Sequence, residues 1–381
     1  MRSLTTKRCR LQERLWKMIL FLFGIRGTKP QIDPNFRPNI VALIPAYNEE
    51  KVIKETIESL KNQTYPVTEI IVIDDKSQDR TREIAQEAGA KVITTPYNTG
   101  SKARALNYGF SVCKAEIVII MDADTKLAKD AVEKIIPYFS DPQVYVVGGR
   151  VLSWQHHSFW AKVRSVQYMV AFGLVRPTQA FWNSLVIASG CFMAIRGELL
   201  RKIKALPEDT ISEDITLTWM AHLEGKKVLF VPEAKSYTLD PPNWYYYKHQ
   251  TLRWARGYIQ CLLRFRKRLS KKRGLWFFAW MYFGISIISA ISRLLLPLVI
   301  YLFVQYPHSV LFSGWIAWIL IDFIFASFVV MREALKESLV KTSMLNLPFL
   351  LVVSVLDDFL FIQAFIEEVV LRRKPIYIKG H

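Results

Sequence analysis

The sequence predicts an α/β domain with a mostly parallel sheet, followed by C-terminal transmembrane helices. Three observations carry this. From residue 39, short β-branched runs alternate with stretches of helical spacing, the pattern of strand–helix–strand units with right-handed crossovers. Three of those runs end in polar punctuation, "PAYNEE", "DDKSQD" and "MDADT". Beyond residue 274 the chain turns strongly apolar.

Taken in order, "NIVALIP" is a continuous apolar run, as expected of a strand buried on both faces, and "NEEKVIKETIESLKNQ" follows with helical spacing and acids in its first turn. "EIIVIDD" is the next strand, "SQDRTREIAQEAGA" the next helix, closed by Gly89. "KVITTP", "KARALNYGFSVC" and "EIVIIMDAD" continue as strand, helix and strand. In parallel sheets of this kind ligands bind beyond the carboxyl ends of the strands, which is where the punctuated segments fall.

The N-terminal "RCRLQERLWKMILFLFGIRG" has an apolar run of only about ten residues, against roughly 20 needed to span a bilayer. It reads as an amphipathic helix lying on an anionic membrane face, with Trp16 and Phe21 dipping inward; packing on the protein itself is the alternative. No small-residue cleavage site follows, and the Pro-rich "TKPQIDPNFRP" connects it to the first strand.

Three apolar stretches follow residue 274: "LWFFAWMYFGISIISAISRLLLPLVIYLFV", "VLFSGWIAWILIDFIFASFVVM" and "LPFLLVVSVLDDFLFIQAFI". They predict two to three membrane spans. Arg293, Asp322, Asp357 and Asp358 lie inside them, so these side chains are expected to face a polar cavity or one another. The acid pair makes the third stretch the least secure span. Were all three to cross from a cytoplasmic domain, "LRRKP" would end outside, against the positive-inside tendency, unless the third re-enters.

Composition narrows the partners. The 381 residues carry a formal charge of +18 with 51% hydrophobic residues, and mean hydropathy is positive. A basic chain of this kind suits anionic phospholipid or a phosphorylated small molecule; no nucleic-acid motif is present, so nucleic acid is not expected. Cys9, Cys113, Cys191 and Cys261 form no metal or disulfide pattern and fit a reducing compartment, each as a buried small hydrophobe.

Four segments carry chemistry. Asp74 and Asp75 end a strand, where a carboxylate can accept from a nucleobase N–H or a ribose hydroxyl. Ser77 or Asp79 suits a cap of the next helix, which leaves the acid pair unexplained. Asp122 and Asp124 stand at i and i+2 beyond an apolar strand and can converge on one hard divalent cation, Mg²⁺ or Mn²⁺, together with substrate phosphates. Lys102 opens a helix after Gly100, where a cation and free N–H groups suit a phosphate; a solvated lysine is the plainer reading. Glu213 and Asp214 start another helix with Ser212 as its possible cap, or one of these acids is a general base.

The ordered set "PAYNEE", "DDKSQDRT", "GSKARALN", "MDADT", "SGCFMAIR", "SEDITLTWM" and "QTLRW" resembles family 2 glycosyltransferases of the GT-A fold, nearest the membrane-integrated synthases of cellulose, chitin, hyaluronan and poly-N-acetylglucosamine. The resemblance implies a nucleotide-sugar-binding domain at 39–260, an amphipathic interface segment and linker at 1–38, and a basic interfacial helix with membrane helices at 261–381. It implies that Ala46, Tyr47, Glu49, Asp74, Asp75, Lys102, Asp122, Gln250 and Arg253 bind the UDP-sugar, and that Asp124 holds Mg²⁺ or Mn²⁺. Asp214 is then the catalytic base, with Gly190, Cys191, Glu213 and Trp254 by the acceptor. Many polymer synthases carry Gln or Arg after the first Gln of the Q-x-x-R-W motif, where this chain has Thr251.

The activity implied is inverting, metal-dependent transfer from a UDP-sugar, UDP-N-acetylglucosamine or UDP-glucose, to a growing membrane polysaccharide. A glycolipid synthase acting on a lipid acceptor, or a non-catalytic membrane-surface protein, are the alternatives. The expected setting is an integral membrane protein with its catalytic domain in the cytoplasm, at the cell membrane if bacterial, with a second copy or an accessory subunit as partner.

Overall fold

The computed structural model describes residues 32–295 and 310–372, with residues 298, 301, 304 and 305 between them. The expected amphipathic helix with Trp16 and Phe21 lies outside the described residues.

The first half of the domain is the predicted alternation. Strand β1 (Ile40–Ala46) leads to helix α1 (Ile53–Lys61), β2 (Glu69–Asp74) to α2 (Thr81–Glu87), and β3 (Lys91–Thr94) to α3 (Lys102–Val112). Then come β4 (Ile117–Met121), the short β5 (Thr125–Leu127) and α4 (Ala131–Ile135). Strands β1 to β4 are parallel in the order β3-β2-β1-β4, with Ala46 opposite Asp74 and Asp74 opposite Thr94. Their carboxyl ends therefore form one edge, as the punctuated motifs predict.

The second half makes the sheet mixed. β6 (Val144–Ser153), β7 (Phe192–Arg196) and β8 (Lys227–Thr238) complete an eight-stranded order, β3-β2-β1-β4-β7-β6-β8-β5. β7 runs antiparallel to both β4 and β6, and β5 antiparallel to β8. β6 pairs parallel with β8, so the sheet stays mostly parallel as expected. Between these strands lie α5 (Phe159–Val170), a π-helical turn at Ala171–Val175, α6 (Arg176–Phe181), α7 (Gly197–Ile203) and α8 (Glu213–Leu223).

Alternation along the strands feeds two cores. Ile40, Ala42 and Ile44 face α1, whose Ile53, Ile57 and Leu60 recur at helical spacing, while Val41 and Leu43 face Leu106 and Phe110 of α3. Truncating the fully buried Ile57 to alanine would cost about 3 kcal/mol in lost transfer energy and cavity formation.

One 26-residue helix, α9 (Trp244–Leu269), runs continuously through the expected boundary at 260, with Asn243 accepting from Tyr246 N at its start. It is followed by α10 (Arg273–Leu294), α11 (Val310–Lys336) and α12 (Val340–Phe365), the last passing into a π-helical turn at Ile366–Val370. Among the described residues, Arg273–Leu294 and Val340–Val370 are long and apolar enough to cross a membrane. The stretch judged least secure, holding Asp357 and Asp358, is thus one of the two. Its acids are absorbed: Arg293 and Ser289 of α10 donate to Asp358, and Gln167 and Tyr247 donate to Asp357 at 2.7 and 2.8 Å. The Asp322 side chain lies outside the described residues.

A third core binds α8, α9, α10 and α12 through Trp219, Phe265, Phe278 and Phe361. Buried Arg150 of β6 meets buried Glu333 of α11 at 2.6 Å, fastening the sheet to that helix as well.

Candidate active site

The loops after β1 and β2 are knitted together before they reach any ligand. Asp75 N donates to Ala46 O at 2.8 Å, Asn48 N to Ser77 Oγ at 3.0 Å, and Glu49 N to Thr81 Oγ1 at 2.6 Å. Ser77 and Asp79 therefore serve this join; α2 has Arg80 at its cap position and no side-chain cap bond. Tyr47 is half-buried and Glu49 buried in the same loop.

Asp74 and Asp75 are both buried and differ in what they hold. Asp74 accepts from Ser77 N at 3.0 Å, closing its own turn. Asp75 accepts from Thr95 Oγ1 (3.0 Å), Thr99 N (2.9 Å) and Thr99 Oγ1 (2.9 Å). Thr99 Oγ1 also contacts Ser101 O at 3.0 Å, so Asp75 fixes the loop that delivers Lys102.

Lys102, first residue of α3, is the hub. Its Nζ lies 2.5 Å from Asp122 Oδ1 and 2.6 Å from Glu213 Oε1, and donates to Gly190 O at 3.3 Å. Burial works to lower its pKa, but Asp122 and Glu213 hold it well above the usual lysine value. The solvated-lysine reading is thereby excluded. Asp122 moves upward through burial, helped by Asp124 and Glu213, against the pull of Lys102.

Asp214 sits beside this hub with only backbone partners for its carboxylate among the described residues. Its Oδ1 accepts from Ile215 N at 2.8 Å and its Oδ2 from Gly190 N at 3.3 Å. Burial and the adjacent Glu213 push its carboxyl up to about 6, opposed by Lys102 and those two N–H groups. Such a carboxyl is ionised at neutral pH yet basic enough to take a proton. Gly190 is where both loops meet: a Cβ there would stand 2.8 Å from Glu213 Oε1 and 2.9 Å from Lys102 Nζ. Cys191, half-buried rather than buried, is next to it, and burial with the nearby Asp122 and Asp124 keeps its thiol protonated.

Ser212 occupies the cap position of α8 but makes no cap bond. Its hydroxyl is turned to α9, where a Cβ on Gly257 would fall 1.9 Å from Ser212 Oγ. Ile211 N donates to Gln260 Oε1 at 3.0 Å on the same face of α9. Half-buried Arg253 lies one turn before Gly257 on that face, and Gln250 is buried with Oε1 lacking a hydrogen-bond partner among the described residues.

Trp254 is exposed (39%), but one face of its indole is already taken. The Arg164 guanidinium of α5 sits 4.7 Å from the Trp254 ring centre and 4.2 Å from that of Tyr247. It also donates to Thr251 Oγ1 and Gln167 Oε1, each at 2.9 Å. Only the other Trp254 face is open to an acceptor. Thr251, the departure from the synthase motif, is the group that accepts from this arginine.

The donor set suits a divalent cation that takes most ligands elsewhere. Asp122 and Asp124 are half-buried carboxylates, and the charge of Asp124 adds to the cost of ionising Asp122. Among the described residues no cluster of three or more His, Cys, Asp or Glu side chains surrounds a metal position. One or two carboxylates with substrate phosphates and water is the usual arrangement for Mg²⁺.

Three residues in the vicinity, Arg164 and Asp240 buried and Arg176 half-buried, carried no sequence signal. Arg176, after the π-helical turn, donates to Ile187 O at 2.6 Å, and burial lowers its pKa to about 10 although Asp214 opposes this. Asp240, past the end of β8, is pushed up to about 7 by burial, against Ser153, Arg164 and Tyr168. Arg164 is the third. Each reaches the site through tertiary packing alone.

Residues 41–204 match the profile described as Glycosyl transferase family 2. The chain is similar to the probable glycosyltransferase YdaM of Bacillus subtilis (strain 168), 30% identical over 359 residues, 85% of this chain and 84% of that protein. It is also similar to the poly-beta-1,6-N-acetyl-D-glucosamine synthase of Staphylococcus epidermidis, 31% identical over 58% of this chain and 55% of that one. Among solved structures it resembles a mannosyltransferase, PcManGT from Pyrobaculum calidifontis in complex with GDP-Man and Mn²⁺, with a TM-score of 0.56, 19% identity, and coverage of 84% and 93%. That likeness is one of fold, the GT-A architecture. The mixed sheet is therefore that of the GT-A fold, and the chain belongs to glycosyl transferase family 2.

Proposed function

We propose that the chain transfers a sugar with inversion from a UDP-sugar, UDP-N-acetylglucosamine or UDP-glucose, to the terminal hydroxyl of a growing membrane-associated polysaccharide. The observation that carries this reading is Asp214, a carboxylate raised to about 6 and held by the backbone N–H groups of Ile215 and Gly190 beside the Lys102–Glu213–Asp122 cluster. The relation to a poly-N-acetylglucosamine synthase supports the choice of product class.

In this reading Asp214 takes the proton of the acceptor hydroxyl as its oxygen attacks the anomeric carbon opposite the nucleotide. Glu213 and Asp122 keep Lys102 charged and fixed beside the departing diphosphate. Arg253 offers a planar fork to phosphate oxygens. The open face of Trp254 stacks the acceptor ring. Mg²⁺ or Mn²⁺ bound by Asp124, with Asp122, would supply charge neutralisation for the diphosphate.

Exposed apolar side chains along α10 (Ile285, Ile288, Ile291) and α12 (Leu345, Val352) support a membrane setting, in which this reading puts the transferase domain on the cytoplasmic side. Two or three spans enclose little space, so a second copy or an accessory subunit would complete a path for the product.

The test is a panel of radiolabelled UDP-sugars supplied to membranes containing the protein, with product size measured. A high-mass polymer from one donor supports the proposal. A single-sugar lipid would replace polysaccharide by glycolipid synthesis, and no incorporation from any UDP-sugar would overturn the donor class.

A further inference from the structure

A second basic feature lies away from the sugar-transfer site. A cavity of about 280 Å³ opens where the end of α8 and the turn between α9 and α10 meet. Its walls include Lys226, Lys271, Lys272 and Arg273, and among the described residues no carboxylate lines it. Among the described residues none of these four cations makes an ion pair, unlike Lys102, Arg150, Lys227 and Arg256, and Lys226 Nζ lies 4.6 Å from the Tyr145 ring centre. Four like charges around one cavity repel each other, and an anion between them removes that cost.

Two further observations point the same way. Helix α10 begins at Arg273 with no side-chain cap and no acid in its first turn. The N–H groups of Arg273, Gly274 and Leu275 have no carbonyl partner among the described residues, and all three residues line the cavity. His222, only 4% exposed, also lines it. Its Nε2 faces Leu185 O at 3.0 Å, and among the described residues Nδ1 makes no hydrogen bond. With the proton on Nε2 for that carbonyl, Nδ1 is an acceptor awaiting a hydroxyl donor.

We propose that this cavity is a binding site for a phosphate ester that carries a neighbouring hydroxyl. The phosphate oxygens meet the first turn of α10 with Lys271, Lys272 and Arg273, and the hydroxyl donates to His222 Nδ1. Two sources share this chemistry: the headgroup of an anionic phospholipid, since the cavity directly precedes the apolar helix Arg273–Leu294, or a soluble phosphate compound. Either would be a built site rather than the diffuse attraction that any run of Lys and Arg exerts on a charged surface.

The experiment is calorimetric titration of the purified full chain in non-ionic detergent. Its probes are dihexanoyl phosphatidylglycerol, dihexanoyl phosphatidylcholine and inorganic phosphate. Phosphatidylglycerol is expected to bind at least about tenfold more tightly than phosphatidylcholine, one charge-assisted contact being worth about that factor. The double change Lys271→Gln with Lys272→Gln should abolish the difference. The charge-matched pair Arg266→Gln with Lys267→Gln, both exposed one turn earlier, should leave it within about twofold, as expected of separated surface charges. Phosphatidylglycerol binding well above inorganic phosphate identifies the lipid headgroup; equal binding of the two identifies a soluble phosphate compound. The proposal is overturned if neither anion binds above phosphatidylcholine, or if both double variants lose the same affinity. Because the readout is binding, its failure is separate from any failure of the sugar-transfer reading.

Discussion

Lys102 Nζ stands 2.6 Å from Glu213 Oε1, joining the first turn of α3 to the first turn of α8 through a bridge in which both side chains are almost fully buried. The two residues are 111 positions apart in sequence, and Asp122 shares the same ammonium. One cation thus holds together a loop from the parallel half of the sheet and a helix from the mixed half. Removing it as Lys102→Ala leaves two carboxylates without their partner, a loss of about 3 kcal/mol for a buried pair. Thermal unfolding and UDP-sugar titration should both report it, with lower Tm and weakened donor binding. Unchanged donor affinity would separate the lysine from the nucleotide.

Asp214→Asn keeps the side-chain shape and one of the two backbone contacts, the amide oxygen accepting from Ile215 N or Gly190 N, while removing the base. Turnover should fall by about 10²–10⁴-fold, the usual worth of a positioned general base, with donor affinity little changed. Comparable turnover in the variant would assign the proton transfer elsewhere.

The pH dependence follows from the same carboxyl, raised from the ordinary 3.8 to about 6. The rate of the free enzyme at low substrate should climb with pH through about 6, as Asp214 loses its proton. Stability runs the other way. Between about 4 and 6 the folded chain keeps a proton that the unfolded chain releases, so raising pH across this window costs stability. Melting temperatures at pH 4.5 and 6.5 should show this component in the wild-type chain and not in Asp214→Asn.

Gly190→Ala places a methyl against Glu213 Oε1 and Lys102 Nζ at under 3 Å. The bridge must open or the loop must shift, and a displacement of about 1 Å at a reacting centre costs on the order of 10²-fold. Activity should collapse while the circular dichroism spectrum stays that of the wild type.

Arg164→Lys tests the stacked guanidinium. An ammonium cannot lie flat between Tyr247 and Trp254 while reaching both Thr251 and Gln167. The Michaelis constant for the acceptor should rise several-fold with that for the donor unchanged. An equal rise in both would make Arg164 a general structural residue.

The first four strands, their helices and the carboxyl-edge loops were legible because each is a local pattern: apolar runs, helical spacing and terminal polar residues. Lys102, Asp122, Glu213 and Asp214 were legible because their motifs stand at the ends of such elements. Three things were not. The antiparallel insertion of β7 depends on pairing with β4 and β6, which no local signal announces. Arg164, Arg176 and Asp240 arrive from helices and a strand end whose own spacing looks ordinary. Trp254 read as an open platform, yet half of it is covered by a side chain 90 positions upstream.

The contact between Gly257 and Ser212 leaves no space for even one added carbon. Helices α8 and α9 are consequently pinned where they cross, which fixes the separation between Asp214 and the residues one turn before Gly257 in this structure. The enzyme therefore behaves as a fixed gauge. On the proposed polymer synthesis, the lengthened acceptor and not these two helices would be the part that advances by one sugar.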